Sequence, residues 1–383
     1  MDKTAVLKRY QLRHAKRGLA YGVLSGVMWG FQGPVLYVLA MTMGWFLDPY
    51  SNSLWTGCLI CLVFTCVHDL FASGWVLLLT GVTGRIREIG RTLRTRPGRL
   101  AILSSICGGP VGMCGYILGM YLAGGTYAMA ISAIYPAVGA LFGRIFLKER
   151  IRPRVWGGIF CCLIGAVVVN FGSFEASTSG ATFVIGVILS AMPAIGWAAE
   201  GTISAYGMDL IDPDVALWIR EFFSFIFELV IVLAAAGALI ARFSGGSETY
   251  VLMDGAAQVT QQLKWSSAYE ILGRFFTEWR AVAWTVVAAA IGGYSYIFWY
   301  RAINMIGAAR AMAFNVTYAL WGILGYFLAG KVAYMLYGYD SGYQITPLML
   351  AGAVIITLGA ILVVINPGEM LNLRDESKEG GST

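Results

Sequence analysis

"GGIFCCLIGAVVVN" (residues 157–170) and "AGAVIITLGAILVVIN" (351–366) are two apolar runs built to one plan. Each carries glycines seven residues apart, 158 and 165 in the first and 352 and 359 in the second, and each ends in asparagine. A second correspondence fixes the frame. Aligning Trp29 with Trp197 brings Gly18 onto Gly186, each eleven residues upstream of its tryptophan. The 383-residue chain therefore reads as one unit used twice.

Composition says what medium the unit faces. Only 13% of the residues are charged, 58% are hydrophobic and the mean hydropathy is +0.70. A soluble domain carries about 25% charged residues, so this surface faces lipid. The 48 glycines suit close helix contacts in a bilayer. Gly18, Gly22, Gly26 and Gly30 form one such smooth ridge on the first apolar run. The formal charge of +6 sits in short connections between apolar runs, a membrane-orientation pattern and not a nucleic-acid-binding face. All seven cysteines lie inside apolar segments without metal-ligand spacing, and they read as reduced packing residues.

Ten stretches are long enough to cross a hydrocarbon core, which takes about 20 residues each: 18–43, 53–81, 101–123, 126–147, 155–173, 182–206, 214–242, 281–300, 306–331 and 346–366. The first is too long for a signal-peptide core and reads as a retained span. Six Lys and Arg precede it, six Arg lie in 84–100, and "KERIRPR" (148–154) is basic, whereas "DPYSN" (48–52) and "SFEASTSG" (173–180) carry no Lys or Arg. That asymmetry places both termini in the cytoplasm of a plasma membrane. The expected organisation is a basic tail (1–17), a first five-helix repeat (18–173), a second (182–366) and a polar tail (367–383). An extracytoplasmic insert (243–280) holds "EILGRFFTEW" as a surface-lying amphipathic helix.

Five is odd, so the second repeat lies upside down relative to the first. The fold class is thus all-α integral membrane, ten transmembrane helices in two inverted five-helix repeats. Secondary transporters use this plan and bind substrate near midplane between the repeats.

A family resemblance agrees. "AISAIYPAVGALFGRIFLKERIRPRVWGGIFCCLIGAVVV" (130–169) resembles the fourth and fifth helices of the drug/metabolite transporter (EamA-like) superfamily, with a proline-bearing helix, a charged turn and a glycine-spaced helix. The counterpart of the "LKE" turn, "AGK" (329–331), lacks the acid. Within the superfamily the chain resembles the choline permeases of the bacterial Lic pathway. The ordered stretches are "GVLSGVMWG" (22–30), "VHD" (67–69), "GPVGM" (109–113), "SAIYPA" (132–137), "IGW" (195–197) with Glu200, "WIREFFSF" (218–225), "AIN" (302–304) and "NVTYALW" (315–321). The chain departs in its longer connections. The resemblance implies a ten-helix bacterial inner-membrane transporter with Trp29 and Trp197 lining a choline site.

The residues themselves supply a reason. A quaternary ammonium donates no hydrogen bond and is held by aromatic faces, roughly 0.5–2 kcal/mol per ring, with an anion nearby. Trp197 and Glu200 share a helix face, and Trp29 is the mate of Trp197. Asn315, Tyr318 and Trp321 share the ninth span, and Tyr135 adds a ring from the fourth. Membrane tryptophans also serve as interfacial anchors, and Glu200 has the alternative role of structural partner to an arginine. His68 and Asp69 in the second span form either a proton-coupling pair, an anion facing the cation, or an interhelical hydrogen bond. Their mates are Arg220 and Glu221, and the expected pairing is Asp69 or Glu221 with Arg220, leaving Glu200 free. Glu228, Arg310 and Lys331 are expected to snorkel or pair structurally.

No phosphate-binding loop, metal-spaced cluster or nucleophile–base constellation is present, which argues against an enzyme or an ATP-driven pump and against any cofactor or metal. The expected partners are a small organic cation and membrane lipid, with the chain as monomer or homodimer. The expected activity is import of choline or a related quaternary amine by alternating access. The rivals are a metabolite or amino-acid exporter of the same superfamily and a membrane scaffold acting through the 84–100 loop.

Overall fold

The computed structural model describes residues 3–41, 43–48, 51–171, 178–243, 247–254 and 257–364. Lipid offers no partner for backbone N–H and C=O groups, so apolar runs of this length close their bonds internally as helices. Among the described residues, nine helices are long and apolar enough to cross a membrane: Tyr10–Met41, Leu54–Val82, Arg96–Ala123, Tyr127–Phe146, Pro153–Phe171, Gly180–Gly207, Pro213–Arg242, Trp279–Ile306 and Ala308–Tyr337. The protein is an integral membrane protein. The expected tenth span is the shorter apolar helix Pro347–Val364, and residues 365 and 366 of that run lie outside the described set. So do the expected C-terminal tail and residues 172–177.

The individual helices are α1 (Lys3–Pro34), α2 (Leu54–Val82), α3 (Ile86–Thr92), α4 (Arg96–Ile106), α5 (Cys114–Ala123), α6 (Gly125–Ser132), α7 (Tyr135–Phe146), α8 (Pro153–Phe171), α9 (Gly180–Gly207), α10 (Pro213–Phe227), α11 (Leu233–Phe243), α12 (Ser267–Phe275), α13 (Trp279–Ile306), α14 (Ala308–Asn315), α15 (Tyr318–Tyr337) and α16 (Pro347–Val364). Residues 3–17, expected as a tail, continue α1 into the first span without a break. Three spans contain wide π-helical turns, at Val35–Met41 after Pro34, at Cys107–Met113 around Pro110, and at Glu228–Val232. Two more are interrupted midway, between α6 and α7 at residues 133–134 and between α14 and α15 at residues 316–317.

The insert departs from an all-helical fold. Strands β1 (Thr249–Asp254) and β2 (Ala257–Gln262) pair antiparallel, Tyr250 facing Gln261 and Leu252 facing Val259. Alternation decides this. Tyr250 and Leu252 are buried while most of β2 is exposed, the period-2 pattern of a half-buried strand. The hairpin is tied to the bundle by Val251 N–H donating to Asn52 Oδ1 (2.8 Å) and Met253 N–H to Phe46 O (3.1 Å). Helix α12 turns Ala268, Ile271 and Phe275 inward, and Phe275 meets Phe64 of α2 edge-on at 5.3 Å. The segment expected to lie on the surface is thus half core, with Phe276 and Trp279 left exposed.

The two runs that open the sequence reading lie against each other. A side-chain carbon on Gly158 would meet Gly359 O at 2.7 Å, and one on Gly359 would meet Gly158 O at 2.7 Å. Gly165 and Gly352 repeat the exchange at 2.8 and 2.7 Å. Helices α8 and α16 therefore run antiparallel with backbones in contact, which only glycine permits.

Candidate functional site

Helix breaks and glycines leave space at the centre of the bundle. An inner cavity enclosing about 270 Å³ of non-atom space is lined by Trp29 of α1, Tyr135 at the start of α7, Trp197 of α9, Ser295, Tyr296 and Trp299 of α13, and Asn315 at the end of α14. The rings meet edge to face: Trp29 with Trp197 at 5.9 Å, Trp29 with Tyr296 at 5.3 Å, and Tyr135 with Trp197 at 5.8 Å. Beyond Trp29 lies a wider cavity of about 550 Å³, which shares Tyr37, Met120, Met129, Gly322 and Tyr326 with a vestibule of about 1530 Å³. The vestibule reaches the 338–346 connection through Ser341, Gly342 and Tyr343. Among the described residues, no charged side chain lines any of these three spaces.

The polar groups at the inner cavity are bonded across the two broken helices. Tyr135 O–H donates to Asn315 Oδ1 (2.5 Å) and lies 3.1 Å from Met312 O. Asn315 Nδ2 donates to Ser25 Oγ (2.6 Å), and Ser132 Oγ lies 3.4 Å from the Tyr318 hydroxyl. The expected site residues Trp29, Trp197, Tyr135 and Asn315 are thus brought together. Tyr318 lines the wider cavity instead. Trp321 lines none of the three, and its Cβ packs against Gly30.

The expected acid is elsewhere. Glu200 is wholly buried and takes a two-pronged bond from Arg220, Nε to Oε1 at 2.7 Å and Nη2 to Oε2 at 3.3 Å, while Tyr300 O–H donates to Oε1 at 3.0 Å. The expectation that Glu200 stays free while Arg220 pairs with Asp69 or Glu221 is therefore corrected: Arg220 serves all three. Its Nη1 lies 2.9 Å from Glu221 and 3.8 Å from Asp69. The reason lies in the chain's course. Glu200 and Arg220 stand at equal distances on either side of the turn near residue 210, and long side chains so placed reach each other. They meet over Gly108, where a side-chain carbon would collide with Glu200 Oε2 and Arg220 Nη2.

Around this pair is a buried polar cluster. Ser224 O–H donates to Asp69 Oδ2 (2.6 Å), His68 Nδ1 lies 3.0 Å from Asp69 Oδ1, and His68 Nε2 lies 3.0 Å from Gln32 Nε2. Gln32 borders the wider cavity, so His68 is one side chain behind its wall. Glu228 is also in the cluster, fully buried with Oε1 near Cys114 Sγ and Oε2 without a hydrogen-bond partner. Four acidic side chains are thus gathered with one guanidinium and one imidazole, three of them within 4 Å of the guanidinium. The cluster touches the inner cavity through Tyr296. The Arg220 guanidinium lies 4.5 Å from the centre of that ring and donates to its hydroxyl at 3.2 Å.

The opposite end of the bundle from the vestibule is bridged by polar contacts. Asp214 holds Arg301 by two bonds (2.9 and 2.7 Å) and Arg85 at 3.2 Å, and Arg85 also meets Asp212 at 2.9 Å. Glu149 accepts from the backbone N–H of Ala308 (2.7 Å) and Ala309 (3.3 Å), where a carboxylate meets the positive end of α14. Arg310, buried in the first turns of α14, donates to Arg150 O at 3.4 Å.

Comparison with known proteins finds a family match over part of the chain. Residues 16–171 match the EamA-like transporter family. The chain is 26% identical to Protein LicB of Haemophilus influenzae over 356 residues, 92% of this chain and 99% of LicB. A solved crystal structure superposes with a TM-score of 0.56 at 16% identity, covering 91% of this chain and 96% of its own, a likeness of fold alone. These similarities point to a transporter rather than an enzyme. What the sequence reading missed is α13. "GGYSYIFWYRAIN" (292–304) crowds five aromatic residues into one span, and Tyr296 and Trp299, three apart, supply two of the cage walls.

Proposed function

We propose that this protein imports choline or a closely similar quaternary amine across the bacterial plasma membrane by alternating access. The observation that carries the reading is the inner cavity. Five rings, Trp29, Tyr135, Trp197, Tyr296 and Trp299, surround a space without any charged lining. Ring faces attract a permanently positive, weakly hydrated guest by about 0.5–2 kcal/mol each, and a neutral wall releases it again on the far side.

The same proposal takes the ten helices as two inverted halves with both termini cytoplasmic. Three features support it: the reciprocal glycine contacts of α8 and α16, the crosswise bonds between the interrupted spans, and the Lys/Arg distribution. In that orientation the vestibule faces outward and the Arg85–Asp214–Arg301 bridge closes the cytoplasmic end. Inward movement of one positive charge gains about 2.3 kcal/mol per 100 mV, roughly fiftyfold accumulation. The carboxylate-rich cluster behind Tyr296 supports exchange of a proton as a further drive, with His68, Asp69, Arg220 and Glu221 in that role. Glu200 acts on the substrate only through Arg220 and the Tyr296 ring.

A second reading, export of a neutral or zwitterionic metabolite, draws on the same uncharged lining. Uptake of labelled choline into proteoliposomes under an imposed inside-negative potential separates the two. Import that grows with potential and falls in Trp197→Ala supports the first reading. No choline flux in either direction, with flux of amino acids or aromatic metabolites, establishes the second.

A further inference from the structure

We propose that the wider cavity beyond Trp29 is a second binding site for the transported amine, an outer station occupied before the inner cage. The proposal rests on the amine-import reading above. Its ground is the way the rings are laid out along the path. Trp29 and Tyr37 are eight residues apart on the first span, and Tyr318 and Tyr326 are eight apart on α15. Eight residues is about two helical turns, so each pair stacks along one face. The two faces form adjoining walls of one cavity, since α1 and α15 touch at Gly30 and Gly325, and Tyr116 of α5 closes a further side, its ring 5.4 Å from that of Trp197. At the mouth Tyr326 stacks on Tyr343 at 5.4 Å and 26°. Rings thus line the way from the 338–346 connection to the inner cage.

The rest of the lining suits the same guest. Met113, Met120 and Met129 contribute polarizable thioethers, which accommodate soft methylated cations in irregular space. Gly30 lets α1 and α15 pack backbone to backbone at the cavity wall, whereas a side-chain carbon on Gly33 would meet nothing within 4 Å. No acid lines the space, so a cation stays only while rings hold it. Such a weak station feeds a tighter one, since passage requires sites that capture and still release. The ligand class is a permanently charged methylated amine small enough to pass Trp29. Trp29 itself borders both cavities and divides them.

The test is equilibrium binding of radiolabelled choline to purified full-length protein in nanodiscs at saturating concentration, with uptake at limiting choline measured in parallel. Wild type is expected to bind two choline per chain. Gly33→Leu, whose side-chain carbon enters open space at the cavity wall, is expected to bind one and to show a KM for uptake raised about tenfold. Tyr326→Leu should match it, Tyr326→Phe should keep both sites, and Gly74→Leu, on α2 with open space around it, should behave as wild type. Trp197→Ala should keep only the outer site. One choline per wild-type chain, with stoichiometry and KM unchanged in Gly33→Leu and Tyr326→Leu, overturns the outer station and leaves the inner cage standing. No choline bound or carried by wild type overturns the import reading and this proposal together.

Discussion

Tyr135 O–H donates to Asn315 Oδ1 at 2.5 Å, so the residue that restarts one interrupted span is bonded to the residue that ends a helix in the other. Ser132 and Tyr318 face each other at 3.4 Å from the same two breaks. In each break a polar residue precedes a tyrosine by three positions, and each tyrosine reaches the other's polar residue. Tyr135→Phe removes the stronger of the two bonds while keeping the ring. Buried hydrogen bonds of this kind contribute about 1 kcal/mol, so choline uptake should fall about fivefold to tenfold, and Tyr318→Phe should cost less. Equal rates for wild type and Tyr135→Phe in proteoliposomes would remove the bond from the mechanism.

The Glu200–Arg220 pair predicts a strong asymmetry between single and double variants. Removing one partner of a buried ion pair leaves an uncompensated charge and costs about 3–5 kcal/mol. Glu200→Gln and Arg220→Gln should each lower the Tm in detergent by several degrees or more. Glu200→Gln combined with Arg220→Gln should recover less than full stability, since Asp69 and Glu221 also lean on the arginine. Fully additive losses in the cycle would show that the two side chains do not act together.

The cage should read permanent charge. Choline should protect the purified protein against heat, raising its Tm by mass action on the folded state. The neutral isostere 3,3-dimethylbutanol should do so at least tenfold less effectively at equal concentration, the loss of about 1.4 kcal/mol of cation–π attraction. Trp29→Ala, Trp197→Ala and Trp299→Ala should each weaken the shift from the amine. Equal protection by both compounds would mean that size alone is recognised.

The seam between α8 and α16 predicts matched effects in both helices. Gly158→Ala and Gly359→Ala each push a methyl into the opposite backbone, and overpacking of this sort costs about 1–3 kcal/mol. Because the contacts are reciprocal at 2.7 Å, the two Tm losses should agree within error. A loss confined to one of them would break the equivalence of the two runs.

Much of this was legible in the chain. Span positions follow from apolar runs against the thickness of a bilayer, and the glycine pairs 158/165 and 352/359 marked the helices that meet. Trp29 and Trp197 were found from their matched spacing after Gly18 and Gly186. Other parts were hidden for physical reasons. Glu200 has no countercharge on its own helix, so sequence leaves it looking free, yet its partner sits on the next helix, reached over Gly108. Tyr296 and Trp299 were overlooked because an aromatic-rich span reads equally as lipid-facing. The β-hairpin was missed since six-residue strands in a polar insert leave only Tyr250 and Leu252 as a signal.

Helix α12 is fastened to α2 through Phe275 and Phe64, the hairpin is tied to the preceding connection through Asn52 and Phe46, and Phe64 stands one helical turn before His68. In the proposed transport cycle, any tilt of α2 is therefore transmitted to α12, a folded handle beside the spans. A fluorophore on that handle would report the cycle, and an antibody fragment clamped to it would act as a brake.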